Sequence, residues 1–297
     1  MWARILATAY LAFDFLFLGI SEPDRAGLKR TVVSERFGAT LRITENSGIC
    51  ETIPGVHTVS GYVDTGNNQN YWFWFFSARQ NTNAPKIPFV VWFNGENGPC
   101  KVNSDKKTTT LNTHSWNEVA NVLYVDQPIS DDFSHGTETT MTSDGAALLI
   151  WQMLQAFFEA FPIYEGRELI FATEGYGGHY GPAFASFFDT QNAFIRSGAI
   201  EGEIITISAM MLNNGWIDPA IHYAEYPTFA TELHMVPDSV ITKANSYLSK
   251  DGGCLDQIKA CNAVGGSDQE KNVYIPCTGD LDPYNIRSKR PDPLPQS

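Results

Sequence analysis

Short runs of apolar residues, each bounded by turn residues, recur through most of the chain. The runs at 71–77 and 89–93 are aromatic and β-branched, which is typical of strands. The runs at 119–125 and 169–172 are almost continuously apolar, as in strands that a parallel sheet buries on both faces. A similar run at 204–212 predicts one more buried strand.

A helical repeat of apolar residues lies between the strands predicted at 119–125 and 169–172. Thr142 or Ser143 can cap the start of this helix, and Pro162 ends it after Phe161. Because helices alternate with strands, the pattern predicts an α/β fold with a mostly parallel, doubly wound sheet. The apolar residues that repeat at helical spacing are Ala147, Trp151, Leu154 and Phe158.

Composition and charge narrow the class of protein. The chain has 297 residues, of which 43% are hydrophobic, enough for one or two domains with a buried core. Its net charge of −13 argues against nucleic acid as a partner, because phosphate binding needs clustered Lys and Arg. A solvated acidic surface is the simplest interpretation of this charge.

The N-terminus has the composition of a secretory signal. Arg4 precedes an apolar run at 5–20 that Asp14 interrupts, and this run is too short to span a bilayer comfortably. We therefore expect residues 1–20 to be a signal peptide, no membrane span, and a secreted or vacuolar location in the secretory pathway.

Five cysteines are an odd number, so one of them is left without a partner inside the chain. A C-x-x-C spacing is absent from the sequence, which argues against a zinc site. We expect no metal and no cofactor. The cysteines are Cys50, Cys100, Cys254, Cys261 and Cys277.

Residues 173–182, TEGYGGHYGP, follow the strand predicted at 169–172 and lead into a further apolar segment. This layout matches a nucleophile elbow, G-x-S-x-G, in which a sharp strand-to-helix turn presents a serine. Here Thr173 occupies the first glycine position and Gly175 occupies the serine position. The sequence therefore predicts the turn without its attacking atom.

The same stretch resembles the GESYGGHY motif of the serine carboxypeptidase family, and the secreted fungal branch is the most similar. The matching segments are collinear with that family over about residues 28–290. They are GICETIPGVHTVSGYVD (48–64), VWFNG (91–95), SWNEVANVLYVDQP (115–128), NNGWIDPAIHY (213–223) and GGCLDQIKACNA (252–263).

This resemblance implies an incomplete α/β-hydrolase fold. The predicted core spans 28–220, a partial insertion or lid region spans 221–290, and 291–297 is a tail. By resemblance the C-terminal sheet strands are missing, so the strand at 204–212 becomes an open apolar edge. We expect poor solubility, or a partner chain that covers this edge.

The resemblance also implies which catalytic parts are absent. The family's reaction is hydrolytic release of a C-terminal residue from peptides by a Ser–Asp–His triad. Gly175 replaces the serine, and the triad Asp and His are not found. Of the oxyanion donors, Gly95 and Tyr176 are remnants. The family's oxyanion loop has a second glycine directly after the one that matches Gly95. Either a deletion after Gly95 removes that second glycine and the loop that follows it, or Glu96 stands in its place.

Two histidines need a separate interpretation. His179, next to the elbow, is predicted to be structural rather than a base. His234 lies in LHMVP, which resembles the sequence around the family's catalytic histidine, and Asp218 precedes it. Because His234 comes before the GGCLDQIKACNA match, we interpret this similarity as a coincidence rather than a rebuilt relay.

Residues that recognise a peptide's terminal carboxylate are implied to persist. The family uses a tryptophan, an asparagine and two glutamates, which match Trp92, Asn94, Glu174 and, under the deletion alignment, Glu96. Paired carboxyl groups can share a proton and then bind a carboxylate at acidic pH. The alternative is that Asn94 and Glu174 only brace the turn. The resemblance further implies a disulfide between Cys254 and Cys261.

We therefore expect a catalytically inactive serine carboxypeptidase-like protein. One alternative is a regulatory pseudoenzyme that holds peptide C-termini without cleaving them. The other is a gene model that omits parts of a longer carboxypeptidase-like protein.

Overall fold

The computed structural model describes residues 27–80, 87–93, 98–129, 133–137 and 142–264. The predicted signal peptide at 1–20 and the tail at 291–297 lie outside this part of the chain. No helix of the described residues is long and apolar enough to cross a membrane.

Strands and helices alternate along the second half of the described chain, as the apolar pattern predicts. The strands are β1 Leu28–Ser34, β2 Ala39–Glu45, β3 Thr58–Asp64, β4 Gln69–Phe76, β5 Phe89–Trp92, β6 Cys100–Val102, β7 Thr109–Leu111, β8 Asn121–Val125, β9 His135–Gly136, β10 Leu169–Glu174 and β11 Ile207–Asn213. The helices are α1 Ser143–Ala160, α2 Gly177–Arg196, α3 Pro219–Glu232, α4 Asp238–Ser249 and α5 Cys254–Val264.

One mixed sheet organises the fold, in the order β1-β2-β3-β4-β8-β5-β10-β11, with β9 paired to β4. Strands β1 to β4 form an antiparallel meander, and β4 joins β8 in antiparallel fashion. Strands β8, β5, β10 and β11 are parallel neighbours, so their carboxyl ends meet at one edge. The predicted α/β class is confirmed.

Helices α1 and α2 pack against each other over the main hydrophobic cluster of the sheet. The apolar residues predicted to repeat along α1 are all buried. Thr142 is its N-cap and accepts a hydrogen bond from the Gly145 N–H at 3.1 Å. The predicted start and end of this helix are therefore confirmed.

The strand predicted at 204–212 forms as β11, three residues later at its start. Our prediction that it is buried is wrong, because Met210 and Met211 are 39% and 42% exposed. The apolar run indicated a strand between two neighbours, whereas β11 has β10 on one side and ends the described sheet.

Three helices, α3 to α5, begin at Pro219 and extend through the region predicted as a partial insertion or lid, where the sequence analysis assigned no helix. They surround a small cluster of their own, formed by Tyr223, Cys254 and Ile258. The missed signal is Asp218 before Pro219: the Asp218 side chain caps α3, and proline suits the first helical position.

A disulfide joins Cys50 to Cys100, a pairing that the sequence left open. Cys254 is also disulfide-bonded. The side chain of Cys261 is outside the described part, so the Cys254–Cys261 pairing stays a prediction.

Candidate active site at the strand-to-helix turn

The turn between β10 and α2 has the backbone of a nucleophile elbow. Gly175 follows the last residue of β10 and has a φ of +56°, in the left-handed region that side chains disfavour. Its N–H donates to the Asn213 carbonyl at 3.3 Å, and its own carbonyl accepts from the Trp216 N–H at 2.6 Å. The turn is thus fixed from the neighbouring strand β11 and the residues after it.

Steric crowding does not require glycine at position 175. A Cβ built on it meets no atom within 4 Å. The position therefore has the conformation and the open space that an elbow nucleophile needs, but it offers only hydrogen atoms. Its positive φ is the feature that favours glycine here.

Gly177, by contrast, is required by a close contact. A Cβ on Gly177 would lie 2.3 Å from the Cβ of Thr173. The Thr173 hydroxyl donates to the Gly177 carbonyl at 3.1 Å, across the turn. Thr173 therefore replaces the first glycine of the motif while keeping the turn closed.

The start of α2 rests on the segment after β11. A Cβ on Gly178 would come within 2.7 Å of the Trp216 backbone, and one on Gly215 within 3.3 Å of the Gly178 Cα. These contacts explain why the GG of the elbow and the NGW of residues 214–216 occur together: each lets the other backbone approach.

Aromatic rings cover one side of the elbow. The ring of Tyr176 lies 4.8 Å from that of His179 and 5.9 Å from that of Trp216, between centroids. Tyr176 is 37% exposed, while His179 is half-buried. The structure thus gives His179 a packing environment beside the turn, as a structural histidine requires.

Two of the predicted recognition residues lie on adjacent parallel strands. Trp92 is in β5 opposite Ala172 of β10, and Glu174 ends β10 opposite Asn213. Trp92 is buried against Trp116, with 5.2 Å between ring centroids, and Glu174 is half-buried. Within the described residues, the Trp92 Nε1 has no hydrogen-bond acceptor.

The other predicted residues, Asn94, Gly95 and Glu96, lie outside the described part of the chain. The predicted oxyanion donor Tyr176 lies directly after Gly175, at the N-cap of α2. The structure therefore brings Trp92, Glu174, Gly175 and Tyr176 together where the carboxyl ends of the parallel strands meet.

A neutral phenol lies beside this edge. Tyr124 of β8 is opposite Trp92. Burial raises the pKa of Tyr124 to about 12, against smaller opposing effects of a hydrogen bond with Ser115 and the charge of Arg79. Tyr124 thus carries no charge near neutral pH.

Asp218 and His234 have local structural roles. Asp218 accepts hydrogen bonds from the N–H groups of Ala220 and Ile221 as the cap of α3. His234 is exposed in the turn after α3, with a φ of +48°. These environments agree with interpreting the LHMVP similarity as a coincidence.

Sequence reasoning missed one histidine–carboxylate pair. His57 Nε2 lies 2.8 Å from a Glu45 carboxylate oxygen, and its Nδ1 lies 2.8 Å from the Tyr164 hydroxyl. These residues tie β2 and β3 to the connection before β10, and Tyr164 is buried. Their separation along the chain gave no signal. No metal-binding group of side chains forms among the described residues.

Comparisons with known proteins agree with this geometry. The profile of a family described as serine carboxypeptidase matches residues 49–296. Carboxypeptidase S1 of Penicillium janthinellum is 40% identical over 275 residues, which cover 84% of this chain and 64% of that protein. Carboxypeptidase Y of Schizosaccharomyces pombe is 29% identical over 243 residues, covering 76% of this chain and 24% of that protein.

A solved structure shares the fold. The crystal structure of Kex1(Δ)p, a prohormone-processing carboxypeptidase of Saccharomyces cerevisiae, matches with a TM-score of 0.61 at 21% identity. The match covers 88% of this chain and 59% of that structure. This chain thus spans less than two thirds of the length of either Carboxypeptidase S1 or Kex1(Δ)p.

Proposed function

Because this chain belongs to the serine carboxypeptidase family, we propose that it recognises the free C-terminal carboxylate of peptides and does not hydrolyse them. The observation that carries the absence of hydrolysis is Gly175, which occupies the nucleophile position of a turn that keeps the elbow backbone.

Hydrolysis by this family's chemistry needs an attacking oxygen at the turn. The hydrogen atoms of Gly175 cannot attack a carbonyl, and the Thr173 hydroxyl is buried and donates to the Gly177 carbonyl. His179 then has no hydroxyl at position 175 to deprotonate. These features together support an inactive protein.

Recognition rests on groups that do not need the nucleophile. Trp92 and Glu174 lie on neighbouring strands at the edge that the elbow occupies, and Asn94 and Glu96 are predicted to join them. If a bound carboxylate and two neighbouring glutamates were all charged, their mutual repulsion would oppose binding. Binding should therefore take up a proton, and affinity should increase towards acidic pH.

Activity is tested with blocked dipeptides and an active-site-directed fluorophosphonate between about pH 4 and about pH 7. We expect neither product nor covalent labelling. Stoichiometric labelling would contradict inactivity if prior treatment with diisopropyl fluorophosphate abolished it. That outcome would not decide whether the chain recognises peptide C-termini.

Recognition is tested by calorimetric titration of a free-acid peptide and its C-terminal amide at about pH 4.5 and about pH 7.5. We expect the free acid to bind more tightly at the lower pH and the amide not to bind. Glu174→Gln should flatten the pH dependence. Glu168→Gln, directly before the first residue of β10, is the matched control and should leave binding unchanged. Equal affinities for both peptides at both pH values would refute recognition.

The second candidate is the activity named in the relatives, peptide hydrolysis by a carboxypeptidase. Two features favour this candidate: position 175 keeps the positive φ of an elbow, and it keeps open space for a side chain. Product formation in the peptide assay would support this candidate.

We also propose export through the secretory pathway, to the medium or to a vacuole. The Cys50–Cys100 disulfide supports this, since such bonds persist in oxidising compartments. Expression of the full chain, followed by its detection in medium and vacuolar fractions, tests the location. Recovery only from the cytosol with free thiols would contradict it.

A further inference from the structure

We propose that the hairpin of β6 and β7 is a processing site, where a protease that cleaves after paired basic residues cuts between Lys107 and Thr108. The cut adds water across this peptide bond, which leaves a carboxylate on Lys107 and an amino group on Thr108. This inference concerns the hairpin and does not depend on peptide recognition at the elbow.

The three pairs of adjacent basic residues in the chain differ in how a protease can reach them. They are Lys29–Arg30, Lys106–Lys107 and Lys289–Arg290. Both residues of the first pair lie in β1 and are paired with β2. The last pair is followed in the sequence by Pro291, and proline directly after the bond hinders cleavage because its ring fixes the backbone. The middle pair lies in the turn between β6 and β7, outside any ladder.

The tip of the hairpin is open to solvent. All residues of 104–110 are exposed, and Val102 in β6 is 70% exposed. Exposed loop tips with polar residues are the preferred sites of proteolytic cleavage. The position of the middle pair therefore suits a protease.

The turn must open before it is cut, because a protease binds its substrate as an extended segment. Asp105 closes the turn by accepting hydrogen bonds from the N–H groups of Lys107 and Thr108, both at 2.9 Å. Three residue pairs join β6 to β7, and these strands form a sheet of their own. A two-stranded hairpin of this size is marginally stable, so local opening can expose the bond.

The base of the hairpin stays fixed when its tip opens. The disulfide between Cys50 and Cys100 holds the start of β6. Asn112, directly after β7, donates from its backbone N–H to the Pro99 carbonyl at 2.8 Å and from its side chain to the Gly98 carbonyl at 2.9 Å. Opening is thus confined to the part of the hairpin that carries the paired lysines.

The two pieces of a cut chain would interlock. Residues up to Lys107 supply β1 to β5, and residues from Thr108 supply β8, β10 and β11. In the sheet, β8 lies between β4 and β5, and β5 lies between β8 and β10. Neither piece can leave without breaking pairing on both sides of a strand. Cleavage should therefore leave one folded molecule made of two chains.

The cysteines would not link these pieces covalently. Cys50 and Cys100 are bonded to each other within the first piece, and the other three cysteines all lie in the second. The pieces should therefore separate under denaturing conditions without a reductant.

The first test treats the native full chain with a purified protease that cleaves after paired basic residues. We expect two fragments on a denaturing gel without reductant, the second of which begins TTTL at Thr108. Lys107→Gln should abolish the cut, and Lys29→Gln is the matched control that should leave it unchanged. The unfolded chain should also be cut after Arg30. A native chain that stays uncut, or that is cut first at another pair, would overturn the proposal.

The second test asks whether the cut molecule holds together and whether cells make the cut. In size-exclusion chromatography with light scattering, the cut protein should keep the mass of the whole chain. Separate fragments under native conditions would contradict the interlocked sheet. In a host whose secretory pathway contains such a protease, the exported chain should carry a new N-terminus at Thr108. An exported chain that stays uncut would refute processing, whereas retention in the cytosol would refute only the proposed location.

Discussion

At the scale of single residues, Gly175 separates the geometry of the site from its chemistry. A side chain there finds room, but it must adopt a φ of +56°. We expect Gly175→Ser and Gly175→Ala to lower the free energy of unfolding equally, by about 1–2 kcal/mol. Gly175→Asn should cost less, because asparagine tolerates this region better. Urea denaturation measures all three.

The serine variant should also show no peptidase activity, since an unassisted hydroxyl is a weak nucleophile. Detectable turnover by Gly175→Ser, absent from Gly175→Ala, would mean that a base is already in place near the turn.

Two buried glutamines provide a second residue-scale prediction, because their amides differ in hydrogen bonding. Gln155 accepts from the Glu203 N–H and donates to the Glu203 carbonyl, both at 2.8 Å. Neither amide atom of Gln127 has a partner within the described chain. We expect Gln127→Met to raise the free energy of unfolding by about 1 kcal/mol and Gln155→Met to lower it by about 1–3 kcal/mol. Thermal and urea melts measure both variants. If Gln127→Met and Gln155→Met changed the free energy of unfolding in the same direction, this reasoning would be contradicted.

At the scale of elements, the close approach of Thr173 to Gly177 joins β10 to α2. Gly177→Ala should destabilise the protein by about 1–3 kcal/mol, since its Cβ would overlap Thr173. Thr173→Gly in the same chain should recover part of this loss, and a double-mutant cycle measures the coupling.

The control for this cycle is Gly202→Ala. The atom nearest a Cβ there is the end of the Ile195 side chain, 2.9 Å away, which can move. We expect a smaller loss than at Gly177. Additive effects of the Thr173 and Gly177 changes would show that the contact does not constrain the turn.

The sequence predicted some elements well and others poorly, for physical reasons. Continuous apolar runs identified β5, β8 and β10, because burial on both faces leaves no polar positions. The antiparallel meander was identified only at β4, since half-exposed strands such as β2 mix polar and apolar residues. Helix α4 was missed although Val240, Ala244 and Tyr247 recur at helical spacing, and none of its residues is buried.

The candidate site was predictable only where a motif marked it. The G-x-S-x-G motif of the elbow identified the positions of Gly175 and Thr173, because a tight turn restricts which residues fit. The contact between Gly178 and the Trp216 backbone could not be predicted, because it joins two segments that only the folded sheet brings together.

At the scale of the whole molecule, a buried ion pair links two distant segments beside the disulfide. Arg79 and Glu51 have side chains that are 2% and 1% exposed, with 2.8 Å between nitrogen and oxygen. Arg79 also donates to the carbonyls of Asn112 and Pro99. It thus holds the residues on both sides of Cys100 against Glu51, which directly follows Cys50.

This arrangement makes stability depend on pH. Burial is the largest influence on Glu51 and opposes its charge, but hydrogen bonds from the Ile53 N–H, Arg79 and Asn117, together with the charge of Arg79, outweigh it. The pKa of Glu51 is therefore held below its ordinary value of 4.5. As pH falls below that value, the unfolded chain takes up a proton that the folded chain does not, so stability is lost.

We expect the free energy of unfolding, measured in urea, to fall as the pH drops from about 5 to about 3, and Glu51→Gln to weaken this dependence. Arg79→Met should cost about 3–5 kcal/mol near neutral pH, because it leaves the Glu51 charge buried. Arg36→Met, which removes the exposed pairs with Glu201 and Glu203, should cost less than about 1 kcal/mol and is the control. Similar losses for Arg79 and Arg36 would contradict the role of burial.

The division of the sheet into an antiparallel and a parallel half has a consequence for how the chain folds. Strands β1 to β4 pair with their neighbours in sequence, so each contact closes a short loop. Strand β5 must instead find β10 and β8 across long connections, which is slower. In pulse-labelling hydrogen exchange, amides of the meander should gain protection before those of β10 and β11. A newly made chain would then hold an ordered N-terminal sheet while its parallel strands are still exposed to chaperones and proteases.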